Sequence, residues 1–279
     1  MKNIKQKIIW SLRRYILKIP SNALVLEVGS GGNPYPRSNV LVDAYEETQE
    51  RHWDKLIYDR PTVVAFGENL PFKDKAFDYV IAAHVLEHTA FPEKFLQELE
   101  RVASAGFIET PDAFMERINP YKDHRLEVTL RNDEMIINKK VNWIDDEDTV
   151  ELYEHRVKEL MVHKVIPNNP EKFHMRYFWR NKINFRILNP EADATWTPPM
   201  ADMIRINPLK NVIQKTRFFA LRFIRIVLSQ TRRNKNLDIF PILRCTKCFS
   251  SRLRKELNCI GCNNCGAEFL KKGNIYIMK

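Results

Sequence analysis

Residues 24–33 read Leu-Val-Leu-Glu-Val-Gly-Ser-Gly-Gly-Asn, a short apolar run that ends in a carboxylate and a cluster of glycines. Such a run, stopped by glycine, predicts a buried strand feeding a tight turn. Glycine has no Cβ, so at Gly29 and Gly31 the backbone can take up positive φ and its N–H groups can approach a ligand closely. A second apolar run, Val40-Leu-Val42, ends in Asp43. An acidic side chain at the tip of a second strand is the usual holder of a ribose diol. The two tips together predict a nucleotide-type ligand above the carboxyl ends of neighbouring parallel strands.

Spacing narrows the ligand. A dinucleotide fingerprint needs a third glycine where this chain has Pro34, and no Gly-Lys-Ser/Thr follows for a phosphate-binding loop. Apolar segments near 24–28, 40–42, 62–66, 77–83 and 106–109 alternate with helical pattern, clearest over Pro92–Ala103. Alternation of this kind predicts a parallel sheet with helices on both faces. Asn33, Pro34 and Pro36 crowd the interval before Asp43, so the first helix is expected to be very short or absent.

Glu27-x-Gly29-x-Gly31 resembles motif I of the class I S-adenosylmethionine (SAM) methyltransferases. The block from Leu70-Pro71-Phe72 through Phe77-Asp78-Tyr-Val80 to Leu86-Glu87-His88 is similar to a second block of that family. Glu98-Leu-Glu-Arg101-Val102 and Gly106-Phe-Ile-Glu109-Thr-Pro111 continue the likeness, which covers residues 21–112. The motif layout is of the ubiquinone-biosynthesis type, similar to methyltransferases of surface-polysaccharide clusters. The resemblance implies an α/β, Rossmann-like methyltransferase sheet and SAM as cofactor. Glu27 would hold the SAM amino group, Gly29 and Gly31 would pass the methionine moiety, and Asp43 would accept both ribose hydroxyls. Where the family often has an acid against the adenine, this chain has Phe66; Glu68 or a backbone amide near Gly67 would serve, with Phe66 stacking on the ring. His84 would line the methyl-donor pocket.

Displacing a methyl group from a sulfonium needs mainly positioning, but a hydroxyl nucleophile gains from a base with a pKa near neutrality. His124, which opens a hairpin expected over Leu126–Leu130 and Met135–Asn138, is the first candidate for that base; His88 is the second and Asp112 a weaker third. The family's Asn/Asp-Pro-Pro-Tyr motif is absent after the fourth strand, which counts against methylation of base or glutamine amines. The expected acceptor is an oxygen of a glycan, a lipid-linked sugar or another small polar molecule. RNA held by a basic tail is the alternative, and an inactive partner-binding protein the second.

Cys245-x2-Cys248 and Cys262-x2-Cys265 form two turns with the spacing of a structural zinc site, and four thiolates leave no open coordination position. Cys259 offers the same spacing with Cys262, leaving an alternative ligand set; in the favoured set it is a buried small residue. Leu243–Met278 resembles the small zinc-ribbon activator subunit of tRNA and release-factor methyltransferases. All five cysteines fall in the last 35 residues, which fits a metal site in a reducing compartment better than a disulfide framework.

Charge is distributed unevenly around the whole-chain value of +10: residues 1–20 carry +6, residues 21–112 carry −8, residues 113–200 carry −1 and residues 201–279 carry +13. The ends therefore suit an anionic partner. Lys2–Lys18 and Lys210–Lys235 read as basic amphipathic helices that could lie on an anionic leaflet, giving a cytoplasmic protein peripheral to the inner face of the membrane. The expected organisation is a basic helix (1–20), a SAM-binding domain (21–200, with 112–200 forming the substrate pocket), a linker with a second basic helix (201–240) and a zinc ribbon (241–279). Asp145–Lys164 is expected to be helical, and Phe173–Ile187 shows aromatics without a clean period.

Overall fold

The computed structural model describes residues 9–10, 12–15, 17–46, 48, 56–143, 146–199, 223 and 227–279. Most of the two expected basic helices lies outside these residues. Among the described residues no helix is long and apolar enough to cross a membrane.

The alternating pattern becomes strands β1 (Val25–Val28), β2 (Val40–Asp43), β3 (Thr62–Val64), β4 (Tyr79–Ala83) and β5 (Ala105–Pro111), hydrogen-bonded in the order β3-β2-β1-β4-β5, all parallel. They read as unbroken apolar runs because both faces of a parallel sheet are covered. On one face Leu26, Val28, Val80 and Ala82 meet Phe95, Leu96, Leu99 and Val102 of helix α1 (Pro92–Val102), which has proline in its first turn. On the other, Val25, Ile81 and Phe107 are covered by Tyr35, Leu17 and Ile19. No helix connects β1 to β2; a turn at 35–38 replaces it, as the crowded prolines predict.

Beyond β5, helix α2 (Ala113–Ile118) leads into the hairpin of β6 (Leu126–Arg131) and β7 (Glu134–Lys139). Asn132 and Asp133 both have positive φ (50° and 58°), the backbone of a tight two-residue hairpin turn. The helical run α3 extends from Glu147 to Asn168, further than expected, with two π-helical stretches, and buries Tyr153 and Met161 against Met115 and Phe173.

The aromatic segment is ordered as β8 (His174–Arg180), antiparallel to β5, followed by β9 (Phe185–Ile187), which pairs with β7. Met175, Tyr177 and Trp179 turn inward. Trp179 lies so close to Gly106 that a Cβ there would fall 2.6 Å from its Nε1.

The C-terminal strands β10 (Leu253–Lys255), β11 (Cys259–Cys262), β12 (Glu268–Lys272) and β13 (Ile275–Ile277) form an antiparallel meander. Strand β13 then pairs in parallel with β3, Ile275 opposite Thr62 and Ile277 opposite Val64, to give one ten-stranded sheet. An open sheet edge presents unpaired N–H and C=O groups, and β13 satisfies those of β3. Ile260, Phe269, Tyr276 and Met278 share the hydrophobic core of the main sheet. Arg244 adds an ion pair to Glu98 at 3.2 Å and a backbone hydrogen bond to the Pro71 carbonyl at 2.9 Å. The ribbon is thus built onto the sheet.

Three basic side chains of the two end segments, Arg13, Arg14 and Arg233, turn toward the protein. Arg233, on the short helix α4 (Thr231–Lys235), donates to the carbonyls of Ser21, Asn22 and Ala23 at 3.1, 2.8 and 3.0 Å. Arg13 reaches the buried Glu109 at 3.2 Å, and Arg14 stacks over Tyr35. These three side chains are held by a buried carboxylate, an aromatic ring and backbone carbonyls.

Candidate cofactor and acceptor site

Two cavities open at the carboxyl ends of β1, β2, β4 and β5. The first, of about 650 Å³, is lined by Asp43, Phe66, Glu68 and the glycine turn. The second, of about 660 Å³, is lined by Arg13, Glu87, Glu109, His124 and His174. Gly29, Gly31, His84 and His88 border both, so the two spaces meet there.

Gly29 (φ +73°) and Gly31 (φ +56°) occupy the left-handed region, as a turn that hugs a ligand requires. A Cβ at Gly29 would fall 2.5 Å from Val85 Cβ. Asp43 lies at the tip of β2 on the cavity wall, its two carboxylate oxygens accepting from the N–H groups of Gly31 (3.0 Å) and Tyr45 (3.1 Å). Phe66 and Tyr45 form an exposed edge-to-face pair, centroids 6.0 Å apart, at the same cavity, where a flat heterocycle could stack. Glu68 borders this cavity and accepts a hydrogen bond from the Thr89 hydroxyl.

Glu27 is placed differently from the family expectation. It is 2% exposed and borders neither cavity; its carboxylate accepts from the Tyr35 N–H at 2.8 Å and from the Ser38 hydroxyl, pinning the β1–β2 turn. Burial pushes its pKa up to about 7, against the opposing pull of Arg14 and these hydrogen bonds. Because the folded value exceeds the ordinary 4.5, the associated stability is full below pH 4.5 and is lost as pH rises through 7. Relative to wild type, Glu27→Gln is therefore expected to gain on the order of 3 kcal/mol between pH 4.5 and pH 8, read from paired urea melts across that range. A flat difference would contradict the placement.

The second cavity is lined by charge. His84 has φ +55°, unusual for a non-glycine residue, and its ring sits between two buried carboxylates: Nδ1 lies 3.4 Å from Glu87 and Nε2 3.4 Å from Glu109. Burial alone would lower the His84 pKa; the two carboxylates outweigh it and raise it to about 9. Glu87 and Glu109, despite burial, are held down to about 2, chiefly by His84. Arg13 and Arg176 complete the ring around Glu109 at 3.2 and 2.9 Å. His174 is lowered to about 4 by burial and then by the neighbouring His84.

His124 and His88 come together, their rings perpendicular and 4.7 Å apart. His124 Nδ1 bonds to Glu116 at 2.7 Å, and Glu116, itself 2% exposed, also accepts from Lys140 Nζ at 2.7 Å. Burial opposes a charged His124, but Glu116 raises its pKa, making the ring a stronger base and fixing Nδ1 as the protonated nitrogen. Asp112 serves as the cap of α2, accepting from the Phe114 N–H at 2.8 Å and the Thr129 hydroxyl at 2.7 Å, and borders neither of the two cavities. Arg13, Glu109, Glu116, His174 and Arg176 were not expected at the site. Glu109, a carboxylate at the end of an apolar strand run, is the one that carried a signal comparable to that of Asp43.

The ribbon cysteines converge as expected: Cys245, Cys248, Cys262 and Cys265 have their sulfurs within 4.8 Å of one another. The Cys245–Cys265 and Cys248–Cys262 separations are 3.7 and 3.6 Å. Zinc–sulfur bonds of about 2.3 Å in a tetrahedron require sulfurs about 3.8 Å apart, so the donor set fits zinc. The N–H groups of Lys247 and Asn264 point at the sulfurs of Cys245 and Cys262 at 3.3 and 3.4 Å. Cys259 stands outside, its thiol donating to Glu256 at 3.0 Å, and is half-buried rather than buried as expected.

Residues 26–107 match the sequence family described as the methyltransferase domain. An uncharacterized protein of Methanocaldococcus jannaschii, MJ1123, is 33% identical over 99 residues, 35% of this chain and 46% of that protein; the chain thus spans about half the length of this curated relative. Among solved structures, a SAM-dependent methyltransferase of Thermotoga maritima described as a possible histamine N-methyltransferase is 18% identical, covering 44% of this chain and 66% of that one, with a TM-score of 0.33. A SAM-dependent methyltransferase of Aquifex aeolicus is 21% identical, covering 37% and 63%, with a TM-score of 0.27.

Proposed function

We propose that this protein is a SAM-dependent methyltransferase that transfers a methyl group to an oxygen of a glycan, a lipid-linked sugar or another small polar acceptor. The observation that carries the reading is the meeting of the two cavities at Gly29, Gly31 and His84. SAM would fill the first, its ribose on Asp43 and its adenine against Phe66 and Tyr45. The acceptor would fill the second, lined by arginine, histidine and carboxylate groups suited to a hydroxylated molecule. The protein's part is to align acceptor oxygen, methyl carbon and sulfur in line. His124, oriented by Glu116, would take the hydroxyl proton, with His88 beside it. Zinc in the ribbon would have a structural role, since β13 completes the sheet that carries the cofactor cavity.

The test is methyl transfer from labelled SAM to a panel of glycans, lipid-linked sugars and RNA, with His124→Gln in parallel. Label in a sugar hydroxyl, reduced at least about 100-fold by His124→Gln, is the expected result. Label confined to RNA would contradict the acceptor assignment.

A further inference from the structure

Glu87 is 2% exposed, yet neither of its carboxylate oxygens has a hydrogen-bond partner; the nearest cationic atom is His84 Nδ1 at 3.4 Å. His84 faces one of the two oxygens, Oε1; the other is buried with no partner, which is unfavourable unless something completes it. Around it stand His88 and His124, and each of the three residues offers a ligand atom within 4.8 Å of the others'. The tie between them is covalently short on one side and hydrogen-bonded on the other: Glu87 precedes His88 in one 3₁₀ turn, and the Arg125 N–H donates to the Glu87 carbonyl at 2.7 Å, holding the hairpin's entrance against that turn.

We propose that Glu87, His88 and His124 form an open divalent-cation site at the floor of the acceptor cavity, distinct from the zinc site in the ribbon. The outer partners are those a metal-bound histidine needs. His124 Nδ1 is bonded to the Glu116 carboxylate, and Glu116 is itself fixed by Lys140 and by the Tyr121 N–H at 2.9 Å. His88 Nδ1 lies 3.2 Å from the Asp123 carbonyl and 3.7 Å from its carboxylate. With both Nδ1 atoms so occupied, Nε2 is left as the ligand atom of each ring. Two imidazoles and one carboxylate suit a borderline cation such as zinc, manganese or iron(II) better than calcium or magnesium. Three protein ligands leave positions for oxygens of a bound molecule, and the cavity supplies the room.

The consequence for catalysis rests on the methyltransferase reading. With the cation in place, the Nε2 of His124 is a ligand and no longer the base of the metal-free reading, so an acceptor hydroxyl bound to the cation releases its proton to solvent. Its oxygen lone pair then forms the bond to the methyl carbon as the carbon–sulfur bond breaks, and that electron pair stays on sulfur, giving a methyl ether and S-adenosylhomocysteine. An acceptor with two neighbouring oxygens, as in a vicinal diol, would fit the open positions.

The test uses the full chain loaded with cobalt(II), with bound metal counted per chain. Wild type is expected to hold two cobalt ions. One shows the charge-transfer band of thiolate ligands and belongs to the ribbon; the other shows ligand-field bands alone. His124→Gln and Glu87→Gln are each expected to lose the second ion while the thiolate band persists, which also reports that the ribbon is folded. One ion per chain in folded wild type, or two retained in both variants, would overturn the proposal. Cobalt counting is independent of methyl transfer, so two ions without activity would fault the methyltransferase reading and leave the cation site standing.

Discussion

Gly29→Arg is expected to weaken SAM binding at least about 100-fold, a loss of roughly 3 kcal/mol or more. Two effects combine. The residue has φ +73°, which costs a non-glycine residue about 1–2 kcal/mol, and the first side-chain carbon would collide with Val85 at 2.5 Å. The remainder of the arginine must then project toward the space where both cavities meet. Because this variant could also disturb the β1 turn, Phe66→Ala provides a second readout. Phe66 is 42% exposed, so its loss should leave the fold intact, and removing one stacking face should cost about 1–3 kcal/mol of cofactor affinity. Calorimetry on both variants, with circular dichroism for the fold, checks the pair. Full affinity in Phe66→Ala would remove the adenine from this wall.

Stripping zinc from the ribbon is expected to lower the melting temperature by at least about 10 °C and to weaken cofactor binding with it. Folding of short zinc modules draws roughly 10–16 kcal/mol from the metal, so the ribbon should not keep its turns without it. Here the damage spreads. Strand β13 covers the β3 edge, and Phe269, Tyr276 and Met278 contribute to the shared core. Losing even about 5 kcal/mol of that would move the midpoint of a chain this size by some 10–20 °C. Ala65 and Phe66 follow directly on β3 and line the cofactor cavity, so fraying of this edge should be felt there. Chelation followed by zinc repletion, monitored by scanning calorimetry and SAM titration, tests both parts. An unchanged melting temperature after verified metal removal would contradict the integral role of the ribbon.

Much of the cofactor half was legible in the sequence because its strands are short apolar runs, and β1, β2 and β5 are closed by a glycine, a carboxylate and a proline. The Gly29–Gly31 turn, Asp43, the lost first helix and the β6–β7 hairpin all follow from local chemistry that needs no partner. Strand β8 was harder. Met175, Tyr177 and Trp179 do alternate, but the outward Phe178 is as apolar as they are, so the two faces look alike until β5 is beside them. The helical run to Asn168 contains proline at its last turn and two π stretches, neither of which a regular period reveals. The pairing of β13 with β3 joins residues more than two hundred positions apart, and no local preference encodes that register. The same distance effect hid the electrostatics. Arg13, Glu109 and Arg176 read as three scattered charges, and only the folded sheet brings them around His84. Glu27 shows the reverse: its position in the motif was legible, but its bonds to Tyr35 and Ser38 depend on the turn that replaced the helix.

The central claim is that the glycine turn, Asp43 and Phe66 together hold SAM next to a separate acceptor cavity. Calorimetric titration of the zinc-loaded full chain with SAM and with S-adenosylhomocysteine tests it most directly. The account predicts one site per chain, a dissociation constant in the micromolar range for both ligands, and loss of the signal in Gly29→Arg. Folded wild-type protein with an intact ribbon that gives no binding heat with either ligand, and no thermal shift, would contradict it.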